Sequence, residues 1–250
     1  MIATIENEKG SFKVDLTKPI DISIPLRNGK DNVSAWYVDP IKIEAVRTDQ
    51  FTGSVKEGGS VNFRNISFNP HGNGTHTECV GHIAKEVYSI NQQLKRFFFW
   101  AELISIKPKK QSNGDHIITA EQISAARKSK NAEAIVIRTL PNEVEKKTKQ
   151  YSNSNPPYLE DEAVTEMINT GINHLLIDLP SVDRELDGGK LTAHHAFWEH
   201  PQNTQFHRSI TELIYVPIEV EDGEYLIEIQ FAPFENDASP SRPVLYAFIK

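Results

Sequence analysis

Asn69-Pro70-His71-Gly72-Asn73-Gly74-Thr75-His76-Thr77-Glu78-Cys79-Val80-Gly81-His82 is the stretch on which the reading of this chain turns. Gly, Asn, Thr and His crowd it, and neither a clean helix nor a clean strand fits it. His76 and His82 flank Glu78, and His71 lies just upstream. Imidazole and carboxylate are natural ligands for Zn(II), and both also occur at Mn(II) sites. A compact loop following a strand is stiff enough to hold them, and glycine lets the backbone approach a metal closely. A divalent metal there would bring the pKa of bound water toward neutrality and polarise a carbonyl. A neighbouring histidine outside the ligand set could then move protons. The competing interpretation is a Gly/Asn-rich surface loop with incidental histidines.

Upstream of this loop, residues 60–68 alternate apolar and polar side chains with one slip at Arg64-Asn65, which predicts a half-buried, bulged strand. Residues 2–6 and 11–16, separated by Glu8-Lys9-Gly10, read as an N-terminal hairpin, and 20–26 and 41–47 as further strands. Downstream, 97–107 and 134–139 are apolar enough for buried strands. Thr119 caps a helix over 120–128, with Gln122 completing a capping box. Residues 159–170 form an amphipathic helix: Leu159, Ala163 and Met167 make one stripe, Val164 and Ile168 lie beside it, and Gly171 ends it. Ile172 to Ile177 is a strand, and a second helix starts near Thr192. Residues 212–220 and 225–233 are strands with Asp222-Gly223 as their turn, and 243–249 is the last strand. Strands outnumber helices in a mixed order. The expectation is one α/β domain with a central mixed sheet over 20–250, preceded by a hairpin extension over 1–19.

Composition narrows the partners. The chain has 250 residues, 38% hydrophobic and 24% charged, within reach of a single core. Its net charge of -7 argues against a general affinity for nucleic acid or anionic membranes, which need clustered Lys and Arg. Runs such as Lys107-Pro108-Lys109-Lys110 are short and read as solvated loops. The lone Cys79 excludes an internal disulfide. The N-terminus has no apolar signal region, and no apolar run is long enough to span a bilayer. A cytoplasmic enzyme acting on a small molecule is the expectation.

The loop resembles the motif H-x-G-T-H-x-D-x-P-x-H of the cyclase and kynurenine-formamidase family. Gly74-Thr75-His76 and His82 match in register, and Glu78 stands at the aspartate. Further similarities follow in order through most of residues 20–248. Asp21-Ile22-Ser23 is similar to a first-strand D-I-S, and Trp36 with Asp39-Pro40 to a W-P-G-D-P turn. Ile137-Arg138-Thr139 resembles a strand ending in R-T, and Pro157-Tyr158-Leu159 with Ala163 the start of a helix. Gly171 through Asp183 resembles G-x-D-T-P-S-x-D. Ala193-His194 resembles a later A-H, and Glu212-Leu213 an E-N-L.

The resemblance implies a swivelling β/β/α single domain, assembled as a homodimer or homotetramer. It implies a site of His76, Glu78, His194 and Glu212, with His71 as an extra ligand, holding one or two Zn or Mn per chain, and Glu78 could bridge two. His82 falls at the proton-transfer position, and Trp36 and Ser181 at the substrate. The activity implied is hydrolysis of a small amide, formamide or cyclic amide. The alternatives are a metal-dependent cyclase or dehydratase, and a binding protein on the same fold.

The chain departs from the motif in three places. The proline is Val80, the aspartate is Glu78, and the first histidine falls at Gly72, whereas the histidine present is His71. A one-residue shift in a strand turns a side chain to the opposite face. His71 therefore reaches the site only if the backbone loops, and positive φ within Gly72-Asn73-Gly74 would allow that. His200 and His207 compete with His194, which the Phe197-Trp198 context favours. His195, about 100° around the helix from His194, points away. His116 and His174 read as structural, Cys79 as a non-ligand, and Asp178 with Asp183 as a loop-organising pair.

Overall fold

Ala134–Thr139 is buried along its whole length. Ile135 and Ile137 pack into one apolar cluster, and Ala134 and Val136 into another. A strand apolar on both faces needs cover on both. In the computed structural model, which describes residues 1–7 and 10–249, this strand lies inside an 11-stranded mixed sheet. The strands in chain order are β1 (Ile2–Asn7), β2 (Gly10–Asp15), β3 (Ile20–Asp21), β4 (His76–Glu78), β5 (Phe98–Ile106), β6 (Ala134–Thr139), β7 (His174–Ile177), β8 (Ser209–Glu212), β9 (Gly223–Glu228), β10 (Ala238–Pro240) and β11 (Val244–Ile249). They lie in the order β1-β2-β11-β9-β5-β6-β7-β8-β4-β10, with β3 also on β11.

The heart of the sheet, β5-β6-β7-β8, is parallel, and β9, β4 and β10 join antiparallel. Its crossovers carry α1 (Ala120–Ala126), α2 (Asp161–Asn169) and α3 (Thr192–Trp198). These helices cover one face: Ile123, Val164, Met167 and Phe197 pack onto Ile104, Ile135, Ile137 and Ile177. Each such side chain contributes about 1.5–3 kcal/mol by leaving water. The opposite face is closed by Ile22, Ile90, Ile214 and Leu245 over Phe99, Leu103 and Val136. No helix among the described residues is long and apolar enough to cross a membrane.

The sequence reading holds where local chemistry decides. Thr119 and Gln122 form the capping box of α1, and Gly171 takes a positive φ of 89° behind α2. The N-terminal strands pair antiparallel; of their expected separator, Glu8 and Lys9 lie outside the described residues. Other expectations need correction. The 20–26 strand is only Ile20–Asp21, because Asp21 Oδ1 accepts from the Ser23 amide and hydroxyl and turns the chain. Residues 60–68 hold a strand only over Arg64–Ser67, and its side chains are exposed rather than half-buried. It pairs with Lys42–Ala45 as a separate ribbon. Leu159 precedes α2 in a short strand, Tyr158–Leu159. The hairpin around Asp222-Gly223 does not form. The upstream strand ends at Glu212, where Leu213 takes a φ of 54°. Asp222 instead accepts from Ser105 and Arg138.

Candidate metal centre

The site lies at the carboxyl ends of β7 and β8, where open α/β sheets commonly bind ligands. β4 is the piece of the His/Gly loop that the sequence did not reveal as a strand. It pairs His76 with Glu212, Thr77 with Thr211 and Glu78 with Ile210. Directly opposed residues share a face, so His76, Glu78 and Glu212 point the same way. On the other face the Thr77 and Thr211 hydroxyls bond at 2.8 Å and fix that register.

His71 joins them from a turn. Asn73 N donates to Asn69 O (3.1 Å), and Gly72 N to Asn69 Oδ1 (3.0 Å). The backbone loops as required, but residues 72–74 are not among those with positive φ; the Asn69 side chain makes the turn instead. The turn also explains the shifted histidine. A side chain on Gly72 would run into Val38 Cγ2 at 2.6 Å and Ala35 O at 2.8 Å. Position 72 thus faces the body of the protein, and His71 faces the cluster.

The polar atoms converge closely. Glu78 Oε2 lies 3.1 Å from His71 Nδ1 and 3.9 Å from His76 Nε2, and Glu78 Oε1 lies 3.3 Å from His194 Nε2. Glu212 Oε2 is 3.5 Å from His76 Nε2, and Glu212 Oε1 is 3.9 Å from His194 Nε2. Each of three rings is tied by its other nitrogen: His194 Nδ1 to Asp183 Oδ2 (2.5 Å), His76 Nδ1 to Gly74 O (2.9 Å) and His71 Nε2 to Asp237 Oδ2 (2.8 Å). This is how metal-binding histidines are normally oriented. His82 differs. Its Nδ1 stands 3.8 Å from Glu78 and 3.5 Å from Asp237, and its side chain is 30% exposed.

Among the described residues, His76 Nε2, His194 Nε2 and both oxygens of Glu78 are buried with no hydrogen-bond partner. Leaving buried polar atoms unpaired is costly, so these four atoms call for an occupant between them. Burial pushes the Glu78 carboxyl up, but the facing His82, His194 and His71 outweigh it and hold it well below the usual range. Burial pulls His194 down, yet Asp183 and Glu78 bring it up to about 10. His71 reaches about 10 against its own burial through Asp237 and Glu78. The cluster therefore favours added positive charge, which a divalent cation supplies in place of those protons. The residues present fit such a cation.

Beside the cluster is a cavity of about 390 Å³ lined by Trp36, Val38, Ser181, Leu191, His82 and His194, among others. Both residues expected at the substrate line it. Trp36 and Leu191 hold left-handed backbone, φ 59° and 47°, conformations that cost energy and gather at functional sites. Ser181 is buried and accepts from the Asp183 amide.

The remaining histidines stay outside. His195 Nδ1 bonds His200 O, and His200 Nδ1 bonds Thr204 Oγ1. His207 contacts Asn173. His174 is buried against Phe99 and bonds Ser209, and burial brings it down to about 3. Cys79 packs in the core, its thiol pushed up to about 12 by burial. Asp178 and Asp183 are not a pair: Asp178 binds Lys146 and Thr139, while Asp183 orients His194. Asp237 was not anticipated at all. It comes from a polar loop without motif spacing, and only the fold brings it to His71.

The Cyclase family model, described as "Putative cyclase", matches residues 14–184. His71, His76, Glu78 and His82 lie inside that span; His194, Glu212 and Asp237 lie beyond it. No curated protein matches the sequence. Among solved structures, one described as a potential metal-dependent hydrolase with cyclase activity superposes with a TM-score of 0.65 at 15% identity, over 92% of this chain and 97% of that one. An isatin hydrolase bound to the product analogue thioisatinate gives 0.63 at 14%, over 92% of both chains. Isatin hydrolase A from Labrenzia aggregata gives 0.65 at 14%, over 92% and 93%. At these identities the likeness is one of fold.

Proposed function

This chain belongs to the Cyclase family, and from that premise we propose that it is a metal-dependent hydrolase of a small amide, formamide or cyclic amide. The observation that carries the reading is the set of four buried, unpartnered atoms centred on Glu78: its two oxygens, with His76 Nε2 near one and His194 Nε2 near the other. His71, His76, Glu78, His194 and Glu212 would hold the cation, Zn or Mn, one or two per chain. When bound, it would supply Lewis acidity for a carbonyl and an activated water.

The chain supplies the rest. Asp183 and Gly74 O keep a proton on Nδ1 of His194 and His76, which leaves Nε2 of each free to bind. His82 is held by longer contacts, 3.8 Å to Glu78 and 3.5 Å to Asp237. Its Nδ1 faces Glu78 and Asp237, so the opposite ring nitrogen is left to exchange a proton with the leaving amide nitrogen. Trp36 and Ser181 would hold the substrate, and about 390 Å³ suits a molecule of one or two rings. The cyclic-amide branch is favoured by likeness to isatin hydrolases, whose named substrate contains a cyclic amide.

The same reading places the protein in the cytoplasm as a homodimer or homotetramer. The outer strand β1 with Ile2 exposed, and the ribbon exposing Ile66 with Phe63 just before it, support association. Light scattering that returned a 28.3 kDa particle would count against it. The main test is elemental analysis of untagged protein, followed by hydrolysis of N-formyl and cyclic amides. About one or two Zn or Mn per chain is expected. Metal-loaded protein inert on every amide would favour a cyclase, a dehydratase or a binding protein.

A further inference from the structure

We infer that Asp237 is a positioning residue shared by His71 and His82, one carboxylate oxygen fixing both a proposed ligand and the proposed proton carrier. This rests on the metal-dependent reading above. Asp237 Oδ2 lies 2.8 Å from His71 Nε2 and 3.5 Å from His82 Nδ1. The two rings sit 4.3 Å apart at 30°. His71 is thus strung between two carboxylates, with Nδ1 3.1 Å from Glu78. A proton kept on Nε2 by Asp237 leaves the Nδ1 lone pair facing the cation site. That is the tautomer a ligand needs.

The backbone builds this contact. Cys79 N donates to Asp237 O at 3.0 Å, and Ile90 N to Asn236 O at 2.9 Å. These bonds lock the Asp237 loop onto the end of β4. A Cβ on Gly81 would lie 3.1 Å from Asp237 Cβ and 2.2 Å from Tyr88 O. Glycine there lets the turn that carries His82 pass directly against Asp237.

Asp237 could instead be a ligand itself, since its oxygen and nitrogens of His71 and His82 lie within 4.8 Å of one another. Two substitutions separate the roles. Asp237→Ala removes both acceptor and charge. Asp237→Asn keeps an oxygen that can accept from His71 Nε2 but removes the charge beside His82.

The experiment measures Zn²⁺ affinity of the metal-stripped full chain by chelator competition, with kcat and KM on whichever amides the wild type hydrolyses. A positioning role predicts that Asp237→Ala weakens Zn²⁺ by roughly 10–100-fold. Asp237→Asn should recover most of that affinity while kcat stays low at unchanged KM. Asp237→Ser replaces the alanine variant if that one does not fold. Wild-type affinity in the alanine variant overturns the proposal. Equal loss in both variants also overturns it, by making Asp237 a ligand. Wild-type protein that binds no metal removes the metal reading and this inference together. Wild-type protein that binds Zn²⁺ but hydrolyses nothing removes only the proposed reaction, and the affinity comparison still decides.

Discussion

The two sides of the cluster are built differently. On one side, His194 stands in the first turn of α3, Glu212 ends β8, and Asp183 lies between the strands that frame them. All three side chains are at most 5% exposed. Asp183 accepts from the amides of Ala193 and His194 as well as from the His194 ring, so one carboxylate starts the helix and aims the imidazole. On the other side, His71, His82 and Asp237 come from turns, with side chains 19%, 30% and 24% exposed. Glu78 sits at the seam, fully buried. The contrast assigns labour: the scaffolded side suits holding a cation, and on the looser side His71 completes the holding set while His82, the more exposed ring, suits moving a proton to or from substrate.

The seam gives the sharpest way to break this division. Glu78→Ala removes the one carboxylate within reach of His71, His76, His82 and His194. Metal affinity should fall by more than about 100-fold, beyond the range of an outer-shell change, as read by elemental analysis after dialysis. Retained metal would show that the two sides bind independently.

His82→Ala comes next and probes the looser side alone. Turnover should drop by roughly 10²–10⁴ with metal content near normal. Loss of metal in step with activity would move His82 into the holding set.

Asp183→Ala probes the scaffolded side. Metal affinity should weaken by roughly 10–100-fold. Because Asp183 also receives the first amides of α3, whose N-cap Leu191 offers no side-chain cap, the metal-free chain should lose about 0.5–2 kcal/mol in urea unfolding. Affinity loss without that stability loss would mean that aiming and helix capping are separable.

A last effect, on stability alone, lies beneath the scaffolded side. His174 Nδ1 bonds Ser209 Oγ at 2.9 Å, which ties the first residues of β7 and β8 together. Burial, helped by Arg96 and His207, lowers its pKa from 6.5 to about 3. The unfolded chain therefore binds this proton between those values while the folded chain does not. The stability contribution is complete above pH 6.5 and is lost as pH falls toward 3. Relative to His174→Gln, the wild type should lose up to about 1.4 kcal/mol per pH unit in that window. Parallel curves for the two proteins would show that His174 takes up a proton without unfolding.

How much of this was legible in the sequence depends on how local each cause is. Val136 and Ile137 announce a buried strand, and Thr119 with Gln122 announces a helix start, because their partners lie within a few residues. The cluster of His76, Glu78 and His82 was legible as chemistry. Its short strand was not, because three residues among glycines and asparagines carry no period. The end of β8 was misplaced because Leu213 adopts a left-handed φ that no sequence rule assigns to leucine. Asp222-Gly223 has the composition of a hairpin turn, but Arg138 and Ser105 claim the aspartate from afar. The orientation of His71 depends on Val38 and Ala35 filling the space beside Gly72. Asp237, 166 positions from the histidine it serves, had no local signal to offer.

The pairing of β4 also bears on how the chain comes together in time. Both neighbours of this strand are encoded far downstream, and the hydroxyl clasp between Thr77 and Thr211 spans 134 positions. At synthesis rates of about 5–20 residues per second, His76 and Glu78 emerge on the order of ten seconds before anything exists for them to pair with. Through that interval the segment is an unpaired strand next to a bare set of candidate ligands. Its closing contacts are among the most non-local in the molecule, and their loop-closure cost defers them toward the end of folding. Competence to bind a cation should thus appear only after the parallel core has formed and β8 and β10 have been made.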